Sequence, residues 1–145
     1  MILDAFALLS DAVSTTTSVA STDYIDTLAT GQSYEGCFFV ARVDTSFVAG
    51  AGAPTVTFQL QTSDASDFSG ATTATMCQSA AYLAAALTAG KRFAVRIPTN
   101  AKRYIRGYAV VDDGGNTKRF STSVYDMFIV KDVSVQGLGT PRYEL

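Results

Sequence analysis

The stretch Thr55-Val56-Thr57-Phe58-Gln59-Leu60-Gln61-Thr62 alternates apolar and polar residues without a break. Successive side chains of a strand point to opposite faces, so Val56, Phe58 and Leu60 share one face and Thr57, Gln59 and Gln61 the other. This is the pattern of a half-buried strand, and it sets the period for reading the rest of the chain.

Residues 92–97 repeat the pattern, with Phe93, Val95 and Ile97 inward and Arg92 and Arg96 outward, until Pro98 removes a backbone donor and stops it. In 104–111, Ile105, Ala109 and Val111 face the core. Lys102, Tyr104, Arg106, Tyr108 and Val110 then share the outer face. Residues 37–43 and 124–130 are apolar on both faces, as expected of strands covered on both sides, where one cover could be another chain.

Turn signals separate these segments. Asp112-Asp113-Gly114-Gly115-Asn116 tolerates positive φ and predicts a reversal into a following strand. Gly50-Ala51-Gly52-Ala53-Pro54 reads as a loop, and residues 63–70 are rich in side chains that bond their own backbone. Alanines cluster in 79–89 ahead of Gly90, so a helical turn there is as well supported as none. Seven or eight short strands at this spacing predict an all-β fold, an antiparallel jelly-roll-like β-sandwich with extended N- and C-terminal segments. Residues 1–145 form one domain, with an N-terminal segment at 1–20 and a C-terminal tail at 132–145.

Composition narrows the function. The chain has 145 residues, no His, no Trp, and only 17% charged residues. Without His, the usual near-neutral general base, the Ser-His-Asp and Cys-His arrangements and imidazole metal sites are absent. Without Trp, the strongest aromatic platform for sugars or cations is missing. The reading is therefore a protein that is not an enzyme, with no catalytic residues and no cofactor.

Charge is unevenly placed. Residues 1–90 carry Arg42 as their one cation against eight carboxylates, whereas 91–120 carry eight cations against Asp112 and Asp113. A cationic stretch of this kind can touch nucleic acid, but a face toward the acidic half or toward a partner protein is the better reading, so no nucleic-acid partner is assigned. Asp4 and Asp11 interrupt the apolar start, no basic region follows Met1, and no run approaches a membrane span, so neither an export signal nor a membrane partner is expected. Cys37 and Cys77 then read as two reduced core thiols.

Three further features bear on function. Gly50-Ala51-Gly52 lacks the Gly-Lys-Ser/Thr that a phosphate loop needs. Asp64, Asp67, Asp112 and Asp113 do not follow the spacing of a calcium loop and read as turn formers, so no metal is assigned. The Tyr/Arg strand is the informative one, because those residue types concentrate binding energy at interfaces. Lys102, Tyr104, Arg106 and Tyr108, with Arg92 and Arg96, are the candidate partner interface. The competing reading has the tyrosines covering a neighbouring strand within the domain.

Several motifs, taken in order, resemble one family. They are Met1-Ile-Leu-Asp4 with Leu9-Ser10-Asp11-Ala12, Phe58-Gln-Leu-Gln-Thr-Ser63, and Gly90-Lys-Arg-Phe-Ala-Val-Arg-Ile-Pro98 leading into Arg103-Tyr-Ile-Arg106. Together they resemble the capsid cement (decoration) proteins of short-tailed double-stranded DNA phages, from Met1 to about Val111; the tail after Val130 has no counterpart. The resemblance implies a jelly roll, made in the host cytoplasm, that attaches to the outside of the assembled head as a dimer and clamps neighbouring major capsid protein subunits. It carries over no catalytic residue and no marked contact residue. The alternative is a carbohydrate-binding jelly-roll module of a virion or cell-surface protein, with Tyr24, Tyr34, Tyr82, Tyr104 or Tyr108 as the stacking face.

Overall fold

The computed structural model describes residues 8–131, excepting 15, 29, 31–33, 35 and 116. Among the described residues nine strands follow in order: β1 Leu8–Ser14, β2 Val19–Asp26, β3 Cys37–Ala51, β4 Thr55–Ser63, β5 Ala74–Gln78, β6 Tyr82–Leu83, β7 Arg92–Arg96, β8 Tyr104–Asp112 and β9 Arg119–Lys131. They form two antiparallel sheets, one ordered β1-β9-β3-β7 and the other β2-β8-β4-β5, with β6 also on β4. β5 and β6 pair with successive parts of β4 and act as one interrupted edge strand. Ser79 bridges the interruption: its N–H donates to the Phe58 carbonyl at 2.9 Å and its Oγ accepts the Phe58 N–H at 3.1 Å. Counted so, the sandwich is an eight-stranded jelly roll.

The inward rows meet as predicted. Val56, Phe58 and Leu60 from β4 and Ile105 and Ala109 from β8 are fully buried, packed against Phe39, Val43, Tyr125 and Met127 of the opposite sheet. Phe58 sits at the centre, with ring centroids 6.1 Å from Phe93 and 5.2 Å from Tyr125. β8 has one inward position without a side chain, Gly107, and Met127 fills it: a Cβ there would lie 2.9 Å from the Met127 thioether. The flexible thioether thus replaces a missing residue on the facing strand.

The structure sharpens two readings, the turn after β8 and the alanine cluster, and changes two, the loop at 50–54 and the N-terminal segment. The turn after β8 does reverse the chain, with Asp112 and Asp113 carboxylates accepting the Gly114 and Gly115 N–H groups, but it delivers β9 to the opposite sheet. The loop expected at 50–54 is shorter, because β3 continues to Ala51 and only Gly52, Ala53 and Pro54 connect the sheets. Gly50 lets the β3 backbone approach Ser121, 3.0 Å from where a Cβ would stand. The alanine cluster contributes a single 3-10 turn, Ala84–Ala86. Within the N-terminal segment 1–20, residues 8–14 are a full strand of the sandwich, paired with β9. Residues 1–7 and the tail 132–145 lie outside the described residues.

Serine and threonine hydroxyls have a structural use. β2 is bulged between Ala20 and Tyr24, so its backbone cannot meet all of β8. Ser18 Oγ accepts the Val111 N–H at 2.9 Å, and Ser21 Oγ accepts the Gly107 N–H at 3.0 Å. Thr62 Oγ1 likewise accepts the Lys102 N–H at 2.8 Å and donates to the Tyr104 carbonyl at 3.0 Å. At these positions hydroxyls stand in for ladder bonds.

Candidate interaction site

The outward row of β8 carries Tyr104, Arg106, Tyr108 and Val110, all half-buried. Register sets their neighbours. Gln59, Gln61 and Ser63 of β4 lie opposite Tyr108, Arg106 and Tyr104, while Ala20, Tyr24 and Asp26 of β2 flank the same three from the other side. The result is a continuous aromatic and amide surface on the five-stranded sheet.

Arg106 lies at its centre. Its guanidinium carbon is 4.3 Å from the Phe68 ring centroid and 5.2 Å from that of Tyr108, within cation–π range of both. Its Nε donates to Gln61 Oε1 at 3.0 Å, Gln61 Nε2 to Gln59 Oε1 at 3.2 Å, and Gln59 Nε2 to Gln78 Oε1 at 2.9 Å. A one-directional chain of side-chain hydrogen bonds therefore runs across the sheet from β8 to β5. Partial burial lowers the Arg106 pKa from its ordinary value, with the Tyr108 side chain acting in the opposite sense. Tyr24 stands edge-on to Tyr104, with centroids 5.7 Å apart, and to Phe68 at 6.3 Å.

The rim is tied down by ion pairs. Arg103 grips Asp26 through Nε at 2.9 Å and Nη2 at 3.0 Å and covers the Tyr104 ring at 5.0 Å. That hydrogen bonding, with the Leu28 N–H, holds the Asp26 carboxyl below its usual range and raises Arg103. Phe68 adopts φ +52°, an unusual conformation for an aromatic residue, and the Thr73 hydroxyl bonds its carbonyl at 2.8 Å.

The six sequence-derived candidates do not form one surface. Tyr104, Arg106 and Tyr108 are brought together. Lys102 is not with them: it precedes β8 and is tied to Asp64 at 3.1 Å and to the Thr72 carbonyl. Arg92 and Arg96 lie on β7, exposed on the other sheet. There Arg92 is opposite Arg42 and Arg96 is opposite Phe38. The alternation rule found the β8 row. It missed Tyr24 and Phe68, because a bulged strand and a loop supply them, and it saw Gln59 and Gln61 only as a polar face.

The outer face of the four-stranded sheet differs. Val40, Phe128 and Val130, with Leu8 and Phe38 against them, form a second apolar cluster separate from the main core. Beside it Asp126, only 3% exposed, accepts the Ala12 N–H at 2.8 Å and the Arg42 Nε at 2.7 Å. Sequence reading of 37–43 and 124–130 as apolar on both faces is matched by this burial.

Other chemistry is sparse among the described residues. No group of three His, Cys, Asp or Glu side chains is placed to hold a metal ion. Cys37 and Cys77 are free thiols against the core, and burial pushes Cys77 up to about 12, far from thiolate chemistry at neutral pH. A shallow open depression is lined by Arg96, Ile97, Pro98 and Thr99. Of the five tyrosines considered for stacking, Tyr82 packs on Phe93 at 4.2 Å and Tyr34 against the core. Tyr24, Tyr104 and Tyr108 share the outer face just described.

No curated protein matches the sequence significantly. The model of the Bbp16 family matches residues 9–124, from β1 into β9, and so spans nearly all of the sandwich. The chain belongs to the phage-related Bbp16 family.

Proposed function

We propose that the protein is a phage structural protein that binds the outer surface of the assembled capsid and clamps neighbouring major capsid protein subunits, stabilising the head. The observation that carries this reading is the outer face of the five-stranded sheet, where Tyr24, Tyr104, Tyr108 and Arg106 are pre-positioned by hydrogen bonds and ring contacts. Such residues, rigid and amphipathic, supply most binding energy at protein interfaces. Membership of a phage-related family and the motif resemblance support the same reading.

A clamp stabilises a shell by binding the assembled lattice in preference to free subunits, contributing RT ln(1 + [L]/Kd) at each site. About 800 Å² per partner is enough for specific attachment. Repetition over the lattice turns a modest local energy into resistance to internal pressure. A homodimer, with two copies presenting their faces to adjacent subunits, is the favoured arrangement.

Co-sedimentation with expanded capsid shells, against unassembled capsid subunits, tests the proposal. Binding to shells and not to subunits is expected; equal binding to both, or to neither, overturns it. The half-exposed Tyr24 beside Tyr104 favours a second reading, carbohydrate stacking, and one clear hit on a glycan array with no shell binding would establish that instead.

A further inference from the structure

Four of the cations among the described residues pair with carboxylates: Arg42 with Asp126, Lys102 with Asp64, Arg103 with Asp26 and Lys118 with Asp112. Lys91, Arg92, Arg96, Arg106, Arg119 and Lys131 form no ion pair among the described residues, and all but Arg106 are exposed to water. Arg106 is therefore singular among the described residues, a half-buried guanidinium with no described carboxylate as counter-charge. Its Nε is taken by Gln61, while its two terminal amino groups meet no acceptor among the described residues.

Desolvating a cation without a counter-ion is unfavourable. The surroundings nevertheless fix this one in place. Phe68 and Tyr108 hold the guanidinium plane, the Gln61–Gln59–Gln78 chain orients its Nε edge, and Phe68 keeps a left-handed backbone conformation that is unfavourable for an aromatic residue. A guanidinium held by its Nε edge and rings presents a planar fork, which matches a carboxylate in two-point contact. A nucleic-acid track would need several unpaired cations along one face to release counterions, and among the described residues this face has one.

We propose that Arg106 is the receptor for an acidic side chain of the capsid subunit, whose carboxylate its two terminal amino groups take up, with Tyr24, Tyr104 and Tyr108 excluding water around the pair. The identity of the partner rests on the capsid-binding reading above. The carboxylate as the recognised group follows from the site itself.

The test uses the full chain and expanded shells in two forms, native and with surface carboxylates converted to neutral amides by carbodiimide and glycinamide. Wild type, Arg106→Met and Arg106→Lys are compared after equal thermal stability is verified; Arg106→Lys serves alone if the Met variant is unstable. On native shells Arg106→Met is expected to bind about 30-fold more weakly or worse, with Arg106→Lys between it and wild type. On amidated shells all three are expected to bind alike and weakly. An equal loss for Arg106→Met on both shells, no loss on native shells, or undiminished wild-type binding after amidation overturns the carboxylate receptor while leaving capsid binding intact. Absence of wild-type binding to native shells overturns the capsid reading, and this inference with it. Arg106-dependent binding of a single-stranded oligonucleotide would assign the fork to phosphate and also overturn it.

Discussion

On the outer face of the four-stranded sheet, Val40 is 3% exposed and Phe128 2%; on the outer face of the five-stranded sheet, Tyr24 is 51% exposed. Both faces come from the same two-residue alternation. What differs is the residue type on the outward row. β3 and β9 place Phe38, Val40, Phe128 and Val130 there, whereas β4 and β8 place Gln59, Gln61, Tyr104, Arg106 and Tyr108. The apolar row is closed and contributes to folding like a second core. Charge that is removed from water follows the same division. Asp126 sits deep on the first face with Arg42 and the Ala12 N–H as partners, while the second keeps the half-buried Arg106 with no carboxylate among the described residues. One sheet uses its outer surface for stability, and on the proposed reading the other keeps its surface for a contact.

The largest effect that could break this comparison is expected at Phe128. If its face is a true second core, Phe128→Ala loses about 3–5 kcal/mol of unfolding free energy, as for a phenylalanine in any packed interior. Urea denaturation measures it, and a loss below about 1 kcal/mol would show an open face.

The ion pair comes next. Arg42→Met leaves the nearly buried Asp126 carboxylate with the Ala12 N–H as its remaining described partner. Removing one member of a buried pair costs 3–5 kcal/mol, but Arg42 is 39% exposed and its share is reduced by water, so about 2 kcal/mol is expected. The same denaturation experiment decides it. An unchanged midpoint would mean that Asp126 is solvated and that the two faces differ less than their burial implies.

The parts of this comparison that could be read in sequence are those where alternation is unbroken. β4, β7 and β8 were legible to within a residue at each end, and so was the outward trio Tyr104, Arg106 and Tyr108. The distal half of β3 was not, because register shifts from Val43 to Ala51 cancel the period. β1 and β2 were hidden by their bulges, and in β2 by Ser21, whose hydroxyl accepts the Gly107 N–H of the neighbouring strand. Pairing was illegible for a topological reason: most consecutive strands lie in opposite sheets, so no local pattern announces that β8 sits between β2 and β4. That is why Phe68, from a loop, and Tyr24, from a distant strand, could not be assigned to Arg106 before the fold was known. Lys102, in phase with the strand by counting, left the face because it precedes β8 and pairs with Asp64.

The smallest effect on stability, and the sharpest separation of the two faces, is expected at Gln59. Its amide links Gln61 to Gln78 on the open sheet, where water can replace each lost bond. Hydrogen bonds exchanged for water contribute about 1 kcal/mol or less, so Gln59→Ala is expected to unfold within about 0.5 kcal/mol of wild type. The substitution also frees the Gln61 side chain that holds Arg106 Nε, so attachment to shells should weaken several-fold although the fold is intact. Stability and attachment thus move independently on this face, whereas on the other face Phe128→Ala changes stability first. A loss of more than about 1.5 kcal/mol in unfolding, with attachment per folded molecule unchanged, would place the glutamine chain among the supports of the sandwich and leave the Tyr/Arg row without a pre-set geometry for a partner.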